Sequence, residues 1–297
     1  TGPKWEQNPL GWPGESCEQV SSPVAGLPMY DWPEVRGPID ALWVAITDRL
    51  RLLGVDAPNH LWRPDDPYQL WTSPDLLVSD ICGFPVAAGL RGRVEVLGAL
   101  DHGVEGCPFG DYRSVLICRV DDPTEGLDGL ARRRAVVTSA DSHSGYGSLV
   151  ATVAPLAGSG AFFEAVVASG SHRESIRAVA EGRADLGVVD DVSWRLGLDH
   201  EPGTDALRVL SVTKPAPAPP LVTGWSNVGL RDRLNEAISD AVNSLDVGVR
   251  EPLHLYGYLV RPTSDYDVIA EDLAAVDDPD LVVGVIEATG FPGPAGT

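Results

Sequence analysis

Lysine is nearly absent from this chain: Lys4 and Lys214 are the only two in 297 residues. Arginine supplies almost all the positive charge, and acidic residues outweigh it, for a formal net charge of −21. A surface of that sign repels phosphate backbones and anionic lipid, so nucleic acid and membrane surfaces are poor partners. The plainest cause of such acidity is solubility. There is also no run of about 18 apolar residues, so no bilayer-spanning helix is expected. No signal peptide is recognisable, and the chain opens on Thr1, as a processed or trimmed product would.

Cysteine is scarce as well. Cys17, Cys82, Cys107 and Cys118 show no CxxC and no metal-ligand spacing, so neither a metal nor a cofactor is expected. Cys118 lies in an apolar strand-like run and is read as a buried thiol. Cys82 and Cys107 both sit in Gly/Pro-containing loop sequence. A disulfide between them stays open, its formation depending on export to an oxidising compartment. Catalytic signatures are missing too: there is no G-x-S-x-G, no P-loop, no G-x-G-x-x-G after a strand and no H-E-x-x-H. His102, His143, His172 and Asp190 have no local spacing that would make them a metal site.

What is present is a globular composition, 43% hydrophobic and 22% charged. Residues 1–23, rich in Gly, Pro and Ser without periodicity, read as an irregular arm. Beyond it strands and helices alternate. "VAGLPMY" reads as a strand. "PIDALWVAITDRLRLLG" reads as a helix with Ile39, Leu42, Trp43, Ile46, Leu50 and Leu53 on one face and Gly54 as its stop. Strands follow at "DLLVSDICG", "RVEVLGAL", "YRSVLICRV", "RAVVTS", "FFEAVVAS", "ADLGVVD" and "LRVLSVT", with helices from about Ser144 and from Ser171, and near 230–245 and 266–276. Such alternation implies α/β layers around a largely parallel sheet. The Pro-rich stretch Pro215–Pro220 reads as a connection between bodies.

Three strand ends carry unusual residues, and in α/β sheets ligands collect at such ends. At the first, Asp141-Ser142-His143-Ser144-Gly145 reads either as an ordinary helix cap, for which one Ser or Asp would suffice, or as a ligand-binding turn. Serine hydroxyls beside backbone N–H groups suit an anion, and Gly145 and Gly147 let a ligand approach the backbone. At the second, Ser171 and Glu174 form an S-x-x-E capping box that places His172 at the first helical position, toward the rim. At the third, Asp190 closes an apolar strand and Asp191 caps the next helix, leaving one carboxylate free. A donor-rich site beside a free carboxylate suits a zwitterion.

At these residues the chain becomes similar to a known group. "GLPMYDWPEV", "DICGFP", "GCPFGDYRSVLI", "DSHSGYGSL", "SGSHRESIRAVAEGRADLGVVD" and "PAPPLVTG" together resemble the phosphate/phosphonate-type substrate-binding proteins of ABC importers, in the branch with "LPMYD" near its start. The resemblance runs from about residue 26 to 220 and more weakly to about 267. It implies an α/β type II periplasmic-binding-protein fold: two α/β lobes, two crossing segments and a central cleft. Lobe one would hold 24–110 and 222–297, lobe two 112–213, with hinge crossings near 111–114 and 214–223. The family's phosphonate-holding Ser-Thr-Ser-Gly turn matches Ser142-His143-Ser144-Gly145, with His143 in place of threonine. That departure leaves other small polar solutes open. The family's "G-S-H" histidine matches His172, its acid after "G-x-V" matches Asp190, and its first-strand aromatic matches Tyr30. Phe84, Tyr112 and Tyr146, aromatics within the quoted motifs, complete the candidate ligand-binding set. The function implied is a monomeric, non-catalytic, periplasmic or extracytoplasmic receptor that delivers a small anionic or zwitterionic ligand to an ABC permease. The alternatives are a non-exported ligand sensor of the same fold and an enzyme built on it.

Overall fold

A computed structural model describes residues 22–157, 160–276, 282–284 and 286–287. Most of the N-terminal arm, with Cys17, lies outside the described residues. The chain divides into two compact units. Unit 1 comprises 1–103, 109–111 and 217–267, and unit 2 comprises 104–108, 112–216 and 268–297.

Unit 1 is built on a five-stranded mixed sheet. Val24–Gly26 runs parallel to Leu76–Asp80, whereas Pro220–Gly224 is antiparallel both to Leu76–Asp80 and to Val94–Asp101. Gly257–Val260 closes the sheet, antiparallel to Val94–Asp101. The helix Arg36–Leu52 packs on Arg231–Ser244. It buries Ile39, Leu42, Trp43, Ile46 and Leu50, as its periodicity requires. Each such side chain contributes about 1.5–3 kcal/mol by leaving water. Gly54 takes φ +71°, and the N–H groups of Gly54 and Val55 bond to the carbonyls of Arg51 and Leu50. That is a Schellman end, and it needs a residue that tolerates the left-handed region.

Unit 2 holds a six-stranded sheet in the order Ile286–Glu287, Ala165–Ala168, Arg134–Val137, Leu186–Asp190, Ser114–Arg119, Leu207–Val212. The first four run parallel; the last two join antiparallel. The sheets are therefore more mixed than simple βα alternation suggests. Ser114–Arg119 in unit 2, and Pro220–Gly224 with Gly257–Val260 in unit 1, run against the other strands of their sheets; Ser114–Arg119 and Pro220–Gly224 are each entered just after the chain changes unit. They bypass the helical crossover that makes neighbouring strands parallel. Where the chain passes between units, Asp111–Tyr112 and Ala216–Pro217 pair as a two-residue ribbon.

The C-terminal stretch departs from the expected boundaries. Its described residues from Val268 group with unit 2, not with the first lobe. Leu273, Val276 and Val282 pack against the unit 2 core and Val283 is buried within it. Ile286–Glu287 adds an edge strand to Ala165–Ala168. The strand expected over "VAGLPMY" stops at Gly26, so Tyr30 lies past it in a turn. Cys118 is fully buried on Ser114–Arg119, and burial pushes its thiol pKa up. No helix among the described residues is long and apolar enough to cross a membrane.

Candidate functional site

The turn after Arg134–Val137 is held by a network of polar bonds in unit 2. Ser142 caps it: its Oγ accepts from the Gly145 N–H at 3.0 Å. The expected α-helix begins instead as a π-helical turn over His143–Gly147, with the Gly147 N–H reaching the Ser142 carbonyl at 3.0 Å, and becomes α-helical at Ser148. Such wide turns are rare and recur at functional sites. Gly145 is needed for packing: a Cβ there would lie 2.7 Å from Thr138 Oγ1 and 3.1 Å from Thr138 N.

Ser144 is the hub. Its carbonyl accepts from the hydroxyls of Ser114 and Ser148, each at 2.7 Å. Its own Oγ lies 2.8 Å from His172 Nε2 and 3.4 Å from Ser142 Oγ. His172 sits, as expected, at the first position of His172–Ala180, behind its Ser171 cap. It is not a bystander on the rim. The ring is half-buried, bonded to Ser144 on one side, with the Asp190 N–H 3.4 Å from Nδ1 on the other. Burial lowers its pKa to about 4.

His143 points elsewhere. Its Nδ1 lies 2.9 Å from Tyr112 Oη, and burial also lowers its pKa to about 4. Both imidazoles are thus neutral at physiological pH, and a histidine step in binding near pH 6.5 is not expected. The two acids exchange the roles expected of them. Asp190 is the cap, accepting from the Ser193 N–H at 2.9 Å, while Asp191 pairs with Arg195 at 2.8 Å. The free carboxylate read from the doublet is therefore engaged in structure.

The sequence candidates are divided between the two units. Ser142, Ser144, Gly145, His172 and Asp190 cluster in unit 2, with Tyr112 and His143 paired beside them. Tyr146 belongs to the hydrophobic core of that unit. Tyr30 and Phe84 are half-buried residues of unit 1, Tyr30 packing edge-on to His102 with ring centroids 5.1 Å apart. Thr138, Ser114 and Ser148 were missed. Thr138 Oγ1 is buried beside Gly145 with no hydrogen-bond partner among the described residues. Ser148 follows Ser144 by four residues, a spacing readable in sequence; Ser114 arrives through antiparallel pairing, which is not. Among the described residues no group of three or more His, Cys, Asp or Glu is placed to hold a metal ion.

Residues 84–258 match the family of phosphonate periplasmic substrate-binding proteins of ABC transporters. The chain belongs to this family. Solved structures agree on the fold. PhnD1 from Prochlorococcus marinus, in complex with methylphosphonate, has a TM-score of 0.65 at 15% identity, over 86% of this chain and 98% of that one. A binding protein component of an ABC phosphonate transporter from Pseudomonas aeruginosa gives 0.63 at 16% identity, over 88% of each chain. XAC2383 from Xanthomonas citri bound to ATP gives 0.65 at 17% identity, over 86% of this chain and 97% of that one. No curated protein matches the chain by sequence. The fold is the α/β type II periplasmic-binding-protein fold, and the family is one of transport receptors, not enzymes.

Proposed function

We propose that this chain is an extracytoplasmic receptor that captures a small phosphonate or related oxyanion, zwitterions included, by closure of its two units, and hands it to an ABC permease. It acts as a monomer, without nucleic acid or cofactor. The observation that carries this reading is the bond from Ser144, in the turn that matches the family's phosphonate-holding segment, to His172 at the start of the next helix. A neutral imidazole can hold a hydroxyl in either tautomer. An anion selects the one in which Nε2–H donates to Ser144 Oγ, because that frees the hydroxyl hydrogen for the ligand. Ser142 and the turn's backbone would complete the donor set.

The same Ser–His pair raises a catalytic reading, and its chemistry argues against it. An imidazole with a pKa of about 4 is a weak general base at neutral pH. On its far side Nδ1 faces the backbone of Asp190, whose carboxylate caps the next helix. A thermal-shift screen of phosphonates, phosphate esters, sulfonates and amino acids tests the proposal. A true ligand at 100 times its dissociation constant stabilises by about 2.7 kcal/mol. Stabilisation by amino acids alone would reassign the ligand class, and consumption of the ligand would restore the enzyme.

A further inference from the structure

On the side that His143 faces, unit 2 contains a feature that the phosphonate reading leaves unused. It is a cavity of about 200 Å³ bordered by Tyr112, Arg113, His143, Ala151, Val212 and Lys214, with Asp272 at its edge. Ser142, Ser144, His172 and Asp190 are not among its described lining residues, although Ser114 and Ser148, which bond to the Ser144 carbonyl, are.

The charges on this wall do not cancel. Lys214 is matched, its Nζ 2.5 Å from Asp272 Oδ1. The Tyr112–His143 pair is neutral. Arg113 has no carboxylate partner among the described residues, and its Nε is shut away from solvent without an acceptor. The wall therefore carries one uncompensated positive charge, in a protein whose net charge is −21. A half-buried cation left unmatched is costly, and an anion placed against it removes the cost. The nearby hydroxyls do not compete for that anion: Ser148 and Thr152 donate to the carbonyls of Ser144 and Ser148, at 2.7 and 2.6 Å.

We infer that this cavity is a binding site for a short aliphatic carboxylate, held by Arg113. The planar guanidinium matches a carboxylate's two oxygens. Ala151, Val212 and Ala216 offer apolar surface for roughly two to four carbons, as a partly open pocket of this volume admits. A single negative charge balances Arg113, whereas a dianion would overshoot and meet Asp272. The site adjoins the Ser144 turn through His143, but its anion is held by Arg113 and not by the Ser144 hydroxyl.

Calorimetric titration of the full chain with sodium propionate, against sodium chloride at equal ionic strength, tests this. One site is expected. Arg113→Gln should weaken it by about tenfold or more, the loss of a charge-assisted bond. Ala151→Leu, which fills the space, should abolish it. Both variants should keep methylphosphonate affinity within about twofold, as independent sites do. If Arg113→Gln does not fold, Ala151→Leu decides alone. No propionate binding in the wild type, or binding undiminished in Ala151→Leu, overturns the proposal. So does propionate binding that is lost in Ser144→Ala and kept in Arg113→Gln, which would assign it to the turn.

Discussion

Ser144 and the two neutral histidines set what this turn does and how it responds to pH. His143 and His172 titrate at about 4 in the folded state, against 6.5 as the ordinary value. The unfolded chain therefore binds protons first as the pH falls, and the stability both histidines lend is present above about 6.5 and lost on the way down to 4. Urea midpoints at pH 7 and pH 5 should show a larger drop for the wild type than for His143→Asn with His172→Asn. Equal drops would mean that neither ring is desolvated. The residue types here were legible: serines, a histidine and glycines at a strand end announced a polar turn opening a helix, and Ser171 announced the helix that carries His172. Their partners were not. Nothing local in the sequence says that His172 reaches Ser144 twenty-eight positions earlier, or that Asp190 and not Asp191 takes the cap. Those depend on how three strand ends are set side by side by the sheet.

At the scale of elements, the helix Arg36–Leu52 and its Gly54 stop were read correctly because periodicity and a left-handed glycine are local signals. Strand direction was not, since Ser114–Arg119 and Pro220–Gly224 take their orientation from the path between units. The π-helical start of the Ser142 turn was equally hidden. It exists because Gly145 lets the backbone press against Thr138. Gly145→Ala should destabilise the protein by about 1–3 kcal/mol, the cost of overpacking a filled site. Chemical denaturation should show this as a lower midpoint with an unchanged slope. An unchanged midpoint would mean that the turn relaxes without loss, and that its geometry is not held by this contact.

For the whole molecule, family and fold agree on a two-unit receptor, and the chain changes unit at 111–112, 216–217 and 267–268, besides a short excursion of 104–108 into unit 2. The third passage was invisible in the sequence, because the helix Asp267–Ala274 has no marker that tells which core it serves. Receptors of this kind close about such segments. Small-angle scattering should accordingly show a smaller radius of gyration with saturating ligand; an unchanged radius with ligand tightly bound would exclude closure. The central claim, that Ser144 in this turn holds a phosphonate-type anion, is tested most directly by titrating methylphosphonate calorimetrically into the wild type and Ser144→Ala. The account predicts one site in the wild type, weakened in Ser144→Ala by about 1.5–3 kcal/mol, the worth of a hydrogen bond to a charged group. The empty variant should lose no more than about 1 kcal/mol of stability, because the cap on Ser142 remains. Undiminished affinity in Ser144→Ala together with a lowered melting temperature would contradict it, and would make the stretch a helix start and nothing more.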